Sequence, residues 1–169
     1  MRTLIEEAAG NLHIEKKAAL EFLIVFSRFE YALKERHFVH KAPPVPRDLQ
    51  VNYSDYAQSI RDPFAQAYEA NAKLKEAADY LCFHPPRRQI WDGTKPDWAP
   101  PEANAKPSSH QMLVFIFRVR NNLFHGGKGW LPPEGNAERD KTLMAHSLTI
   151  IDAILEIDSD LKQAFSSFQ

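Results

Sequence analysis

The stretch EFLIVFSRFEYALKE, residues 21–35, decides the fold class. Its apolar positions Phe22, Val25, Phe26, Phe29, Ala32 and Leu33 recur at the i, i+3, i+4, i+7 spacing of one helical face. That periodicity predicts a helix over about His13 to His37. The same spacing returns at the other end of the chain. There Leu143, Ile150, Ile151, Ile154, Ile157, Leu161 and Phe165 lie on one face of a helix starting near Asn136. All twelve prolines lie between Pro43 and Pro133. Because proline lacks a backbone donor and biases its predecessor away from helix, the flanks are helical and the loops lie between them.

Working inward, KAPPVPRD, residues 41–48, ends the first helix, and a shorter helix fits about Asp48 to Ile60. Pro63 suits the first turn of another, running to about Cys82 through Phe64, Ala67, Tyr68, Ala70, Leu74 and Ala78, with Pro85 and Pro86 closing it. Residues 85–108 hold six prolines and two tryptophans, and no periodic pattern supports regular structure there. Trp91 and Trp98 either pin this long loop to the bundle or form an exposed recognition surface. Ser108 or Ser109 then caps a helix with Leu113, Ile116, Phe117, Arg120 and Phe124 on one face, which Gly126 and Gly127 stop. The expected fold is all-α, one domain over residues 1–169. Four main helices and a fifth short one form a bundle, with the long proline-rich loop before the helix that bears Arg120.

Composition narrows the function. The 169 residues carry 21 Lys plus Arg against 22 Asp plus Glu, a net charge of −1, which disfavours a uniformly cationic binder of nucleic acid or membranes. Any anionic ligand must meet a local basic patch. The single cysteine, Cys82, excludes an internal disulfide framework and a zinc site of several thiolates, and fits a reducing, cytoplasmic compartment. MRTLIEEAAG has no secretory pattern, and the longest apolar runs, Phe22 to Phe26 and Leu113 to Phe117, are five residues each, too short to span a bilayer. No membrane, metal or cofactor role is expected.

The stretch RVRNNLFHGGK, residues 118–128, places polar and ionisable groups at the end of an otherwise apolar helix. Asn121 and His125 are four residues apart, so the last turn presents both on one face and the amide can orient the imidazole. Arg120 and His125 are about 140° apart on a regular helix. Either Gly126 and Gly127 let His125 swing toward Arg120, or each group meets its counterpart from a second subunit across a two-fold axis. An Arg and a His suit metal-independent cleavage of RNA. The imidazole exchanges protons with the ribose 2′-hydroxyl or the leaving oxygen, and the guanidinium holds the phosphate and stabilises its developing charge.

This stretch resembles the motif of the HEPN superfamily, α-helical bundles in which an Arg is followed by a polar residue, a few more residues and a His. Here these are Arg120, Asn121, Asn122, Leu123, Phe124 and His125, with Gly126 and Gly127 after them. Other Arg-to-His spacings exist, Arg118 to His125 and Arg139 to His146. What selects Arg120 is the polar residue directly after it, the helical location and the Gly-Gly after the His. The long first helix, with FSRFEYALKERHF, is also like that of many bacterial members. The resemblance implies a homodimeric, metal-independent endoribonuclease with a composite site. Arg120 is then the phosphate ligand and transition-state stabiliser, His125 the acid/base, and Asn121 the residue that orients them, with Asn122 in support. It further implies RNA as substrate, a role as toxin or defence effector, and a cognate antitoxin or regulatory protein as partner. Gly127 stands where toxin-type members often carry Tyr, which argues against regulation through that tyrosine.

Outside the motif, Arg28 and Glu30 interrupt the apolar run of the first helix. They form either an outward-facing pair or, through Glu30, a charge-assisted contact that fixes Arg120. Arg118 is either a surface charge or a second phosphate contact, and Lys128 a further one. Lys34, Arg36, His37, His40, Lys41 and Arg47 make the densest basic cluster, a solvated face or an RNA backbone track in which Arg36 and Lys41 are the chief contacts. Arg87, Arg88 and Trp91 offer a cation-plus-aromatic mixture suited to single strands. His37 and His40, three apart on the expected helix, have no carboxylate or thiolate partner for a metal, and His146 is read as a helix-face residue. The competing reading of the whole chain is a non-catalytic helical adaptor or regulatory interaction protein.

Overall fold

The computed structural model describes residues 15–41, 48–99, 106–124 and 137–167. Seven helices occur among them: α1 (Lys16–Glu35), α2 (Tyr53–Ser59), α3 (Arg61–Ala70), α4 (Ala72–Phe83), α5 (Ser109–Phe124), α6 (Ala137–Ile157) and α7 (Ser159–Ser166). One antiparallel hairpin, β1 (Gln89–Trp91) and β2 (Pro96–Trp98), accompanies them. The fold is all-α in its core, as the periodicity predicts. α6 is the hub, packing against α1, α3, α4, α5 and α7, while α2 lies along α5. Phe22, Phe26, Phe29 and Leu33 of α1 enter one cluster with Leu74, Leu81, Met112, Phe115, Ile116, Ile150 and Ile154.

Two expected helices are each divided by a polar cap. Asn71 is extended (φ −110°, ψ 105°), and its side chain accepts from the N–H groups of Lys73 and Leu74, which separates α3 from α4. Asp158 does the same for α7 by accepting from the Leu161 N–H at 2.9 Å. The apolar spacing runs through both breaks, so periodicity alone joins what the caps separate. Ser108 caps α5 by accepting from the Gln111 N–H, and Ser109 donates from a buried position to the Ala57 carbonyl, tying α5 to α2.

The hairpin corrects the expectation that residues 85–108 lack regular structure. Asp92 accepts from the Thr94 N–H and hydroxyl and from the Lys95 N–H, and Gly93 turns the chain at φ +105°. These bonds hold the Asp92 carboxyl below its ordinary range. Asn122, buried on α5, donates to the Arg87 carbonyl at 2.8 Å and so fastens the hairpin base to α5. Trp91 does not pin the loop, being 66% exposed, whereas Trp98 is half-buried.

α1 ends two residues before the expected limit, in a Schellman turn. Phe38 donates to the Leu33 carbonyl and His37 to that of Lys34, with His37 in the left-handed region at φ +61°. His37 and His40 therefore do not lie three apart on a helix. A side chain at such a φ costs energy that glycine avoids, so His37→Gly is expected to stabilise the fold by about 1 kcal/mol. Differential scanning calorimetry should show a Tm higher by about 2–4 °C.

His146 of α6 stacks on Tyr80 of α4, ring centroids 4.3 Å apart. Burial disfavours its charged form and lowers its pKa below the ordinary 6.5, with Glu76 opposing. As pH falls, the unfolded chain takes up this proton before the folded one. The contribution to stability is thus complete above the unfolded pKa of about 6.5 and lost as pH falls below it. Urea denaturation between about pH 7 and 5 should show a decline that is smaller in His146→Gln.

Candidate functional site

α5 brings its last turns against α1 and α2. Its buried side carries Met112, Leu113, Phe115, Ile116, Val119 and Asn122, so the buried stripe is rotated from the expected one: Phe117 is 36% exposed and Arg120 sits at the stripe's edge. From there the half-buried Arg120 guanidinium lies over the Phe26 ring of α1, 5.8 Å from its centroid. Its Nη1 donates to Asn121 Oδ1 at 3.0 Å. The aromatic face and the neighbouring amide together restrict the rotamers of a long, charged side chain.

Tyr53, the first residue of α2, completes this corner. Its ring packs on Phe117 at 5.4 Å, and its hydroxyl is buried without a hydrogen bond among the described residues. Burial, then the Glu30 carboxylate, push the Tyr53 hydroxyl well above its ordinary pKa, while Arg120 pulls it down. Both Glu30 and Arg120 therefore act on the same hydroxyl. Glu30 is half-buried and pairs with Lys34 one turn along α1 at 2.8 Å. Tyr53 has no signal of its own in the sequence. The nearest clue is Asn52, whose side chain caps α2 by accepting from the Asp55 N–H.

Other predicted residues divide between site and scaffold. Asn121 joins Arg120, whereas Asn122 points into the fold and serves the hairpin. Arg118 is half-buried, its guanidinium 5.8 Å from the centroid of the Phe115 ring. Arg28 is not an outward-facing charge. It donates to the carbonyls of Ala164, Phe165 and Ser167, binding the C-terminal end of α7, where a cation is favoured. In the basic cluster, Lys34 is engaged with Glu30, and Arg36 meets Asp160 at 2.8 Å. Lys41, His37 and His40 are exposed. Near the hairpin, Arg88 is exposed beside the half-buried Arg87. His125 and Lys128, like Gly126, Gly127 and Arg47, lie outside the described residues.

Burial, with Asp79 adding to it, pushes the Cys82 thiol up to about 11, which makes it a poor nucleophile. Among the described residues no group of three or more His, Cys, Asp or Glu could hold a metal ion, and no helix is long and apolar enough to cross a membrane. What remains chemically is the Arg120 guanidinium near the end of α5, held by the amide of Asn121 and the aromatic ring of Phe26 on α1. No family model, curated protein or solved structure matches the chain.

Proposed function

We propose that this chain is a HEPN-type bundle acting in the cytoplasm as a homodimeric, metal-independent endoribonuclease on single-stranded RNA. The observation that carries it is the Arg120 guanidinium, half-buried over Phe26 and held by Asn121 on the helix that continues toward His125. Phosphate recognition calls for such a fork, restrained before the ligand arrives. In the reaction the ribose 2′-oxygen forms a bond to the adjacent phosphorus, and the bond from phosphorus to the 5′-oxygen breaks. His125 serves the proton transfers, taking the 2′-hydroxyl proton or supplying one to the 5′-oxygen. Arg120 offsets the charge that builds on the non-bridging oxygens. The products are a 2′,3′-cyclic phosphate and a 5′-hydroxyl.

The test incubates the purified chain, beside Arg120→Ala and His125→Ala, with a mixed single-stranded RNA in EDTA. Cleavage by the wild type alone supports the assignment. Equal behaviour of all three proteins rejects the site and leaves the adaptor reading.

A further inference from the structure

The hairpin presents an aromatic face that the Arg120 corner does not use. Gln89 pairs with Trp98, Ile90 with Asp97 and Trp91 with Pro96. Side chains alternate along a strand, so Gln89, Trp91, Pro96 and Trp98 share one face, and Ile90 and Asp97 stand on the other. The Asp92 N–H donates to the Lys95 carbonyl and the Ala99 N–H to that of Arg88. Between these bonds, Trp91 and Pro96 form a non-hydrogen-bonded pair, the kind whose side chains lie closest. A rigid pyrrolidine thus stands beside the indole and limits its swing. Trp91 is exposed all the same, next to the half-buried Trp98. The base of the hairpin is fixed: Asn122 of α5 donates to the Arg87 carbonyl, and Arg139 of α6 to that of Pro85 at 3.0 Å.

Charge and size say what fits this face. From Arg88 to Trp98 the hairpin carries two cations, Arg88 and Lys95, and two carboxylates, Asp92 and Asp97, all exposed. By the same alternation none of the four stands on the Trp91 face. Asp92 is engaged in the turn, and Asp97 accepts from the Trp98 N–H. The face is therefore aromatic and uncharged, and it suits the π-face that every nucleobase presents. A protein partner needs more room. Three residues on each of two strands make a face of about 100 Å², against about 800 Å² on each side of a stable protein interface.

We infer that the Trp91 face of the hairpin is a base-stacking subsite for unpaired RNA, placed at a distance from the phosphate held by Arg120. The identity of the strand rests on the proposed function. Four residues separate Trp91 from the Arg87 carbonyl, about 14 Å of extended chain, and Asn122 lies across α5 from Arg120 on a helix about 10 Å thick. Trp91 therefore stands within about 25–30 Å of Arg120, a span that about eight stacked nucleotides cover. Because the hairpin's charges balance, stacking supplies the affinity of this subsite and release of counterions adds little.

The test titrates the full chain with a labelled 2′-O-methyl RNA of mixed sequence, which has no free 2′-hydroxyl and so is bound without being cut. A length of about 12 nucleotides falls within the usual site sizes for single strands. Trp91→Ala should bind about tenfold more weakly than the wild type, and Trp91→Phe within about threefold of it, since phenylalanine keeps a flat ring. Trp91→Leu should be as weak as the alanine variant. The ratio of wild type to Trp91→Ala should be equal at about 50 and 200 mM salt. Indole emission of the wild type should fall on saturation by about a third, one tryptophan of the three, and the fall should be absent in Trp91→Phe. Absence of binding by the wild type, a Trp91→Ala affinity within about twofold of it, or a Trp91→Leu variant as good as Trp91→Phe overturns the subsite. The last of these results would mean an apolar contact in place of stacking. Failure of the function reads differently: binding that depends on Trp91 without cleavage of unmodified RNA overturns only the ribonuclease, and cleavage with KM unchanged in Trp91→Ala overturns only the subsite.

Discussion

Replacing Arg120 by alanine is expected to lower the rate of RNA cleavage by about 10²–10³-fold, the usual effect of removing a donor from the developing charge of a transition state. Replacing His125 by alanine should cost about 10²–10⁴-fold, the range for a positioned acid or base. The fork geometry adds a sharper expectation. Arg120→Lys keeps the charge but loses both the planar guanidinium over Phe26 and the directed bond to Asn121, so it should recover only a small part of the lost rate. Two residues serving one step are non-additive, and the double alanine variant should be little slower than the worse single one. Single-turnover kinetics with saturating protein would check these ratios. Losses that multiply would mean that the two groups act on different steps.

Phe29→Ala should have the largest effect on stability. Phe29 is fully buried on α1 and meets the edge of Tyr56 on α2, ring centroids 6.3 Å apart. Truncation removes the ring from the junction of these helices and leaves a cavity, at a cost of about 3–5 kcal/mol. The corresponding fall in Tm is roughly 6–20 °C. A contrasting expectation holds for Ile24 on the outer face of the same helix, where alanine should change Tm by less than about 2 °C. Thermal unfolding by circular dichroism compares the two. Similar losses at both positions would mean that the helix face has been assigned wrongly.

Helix α1 was legible because its period carries on past Arg28 and Glu30: Phe22, Phe26, Phe29 and Leu33 are all buried, as their spacing predicts. The breaks at Asn71 and Asp158 were not, although each carries a capping side chain that the sequence displays. Apolar spacing reports which side of a segment is buried and is blind to a break that keeps the phase. The hairpin also had its signal in Asp92-Gly93, overshadowed by the prolines around it; Pro96 is tolerated because it opens its strand. In the candidate site, Arg120 and Asn121 were legible because the two are chain neighbours. The supporting ring of Phe26 is the product of helix packing, and Tyr53 reaches the corner through α2. No local pattern encodes either contact. Arg28 was misread for the same reason, since its partners lie at the far end of the chain.

The most direct measurement is the chemistry of the RNA ends after incubation with the wild-type protein in EDTA. End-group analysis by mass spectrometry should find 2′,3′-cyclic phosphate and 5′-hydroxyl termini, absent with Arg120→Ala and with His125→Ala. Intact RNA, or the same ends at the same rate from either variant, would contradict the assignment of Arg120 and His125 to RNA cleavage.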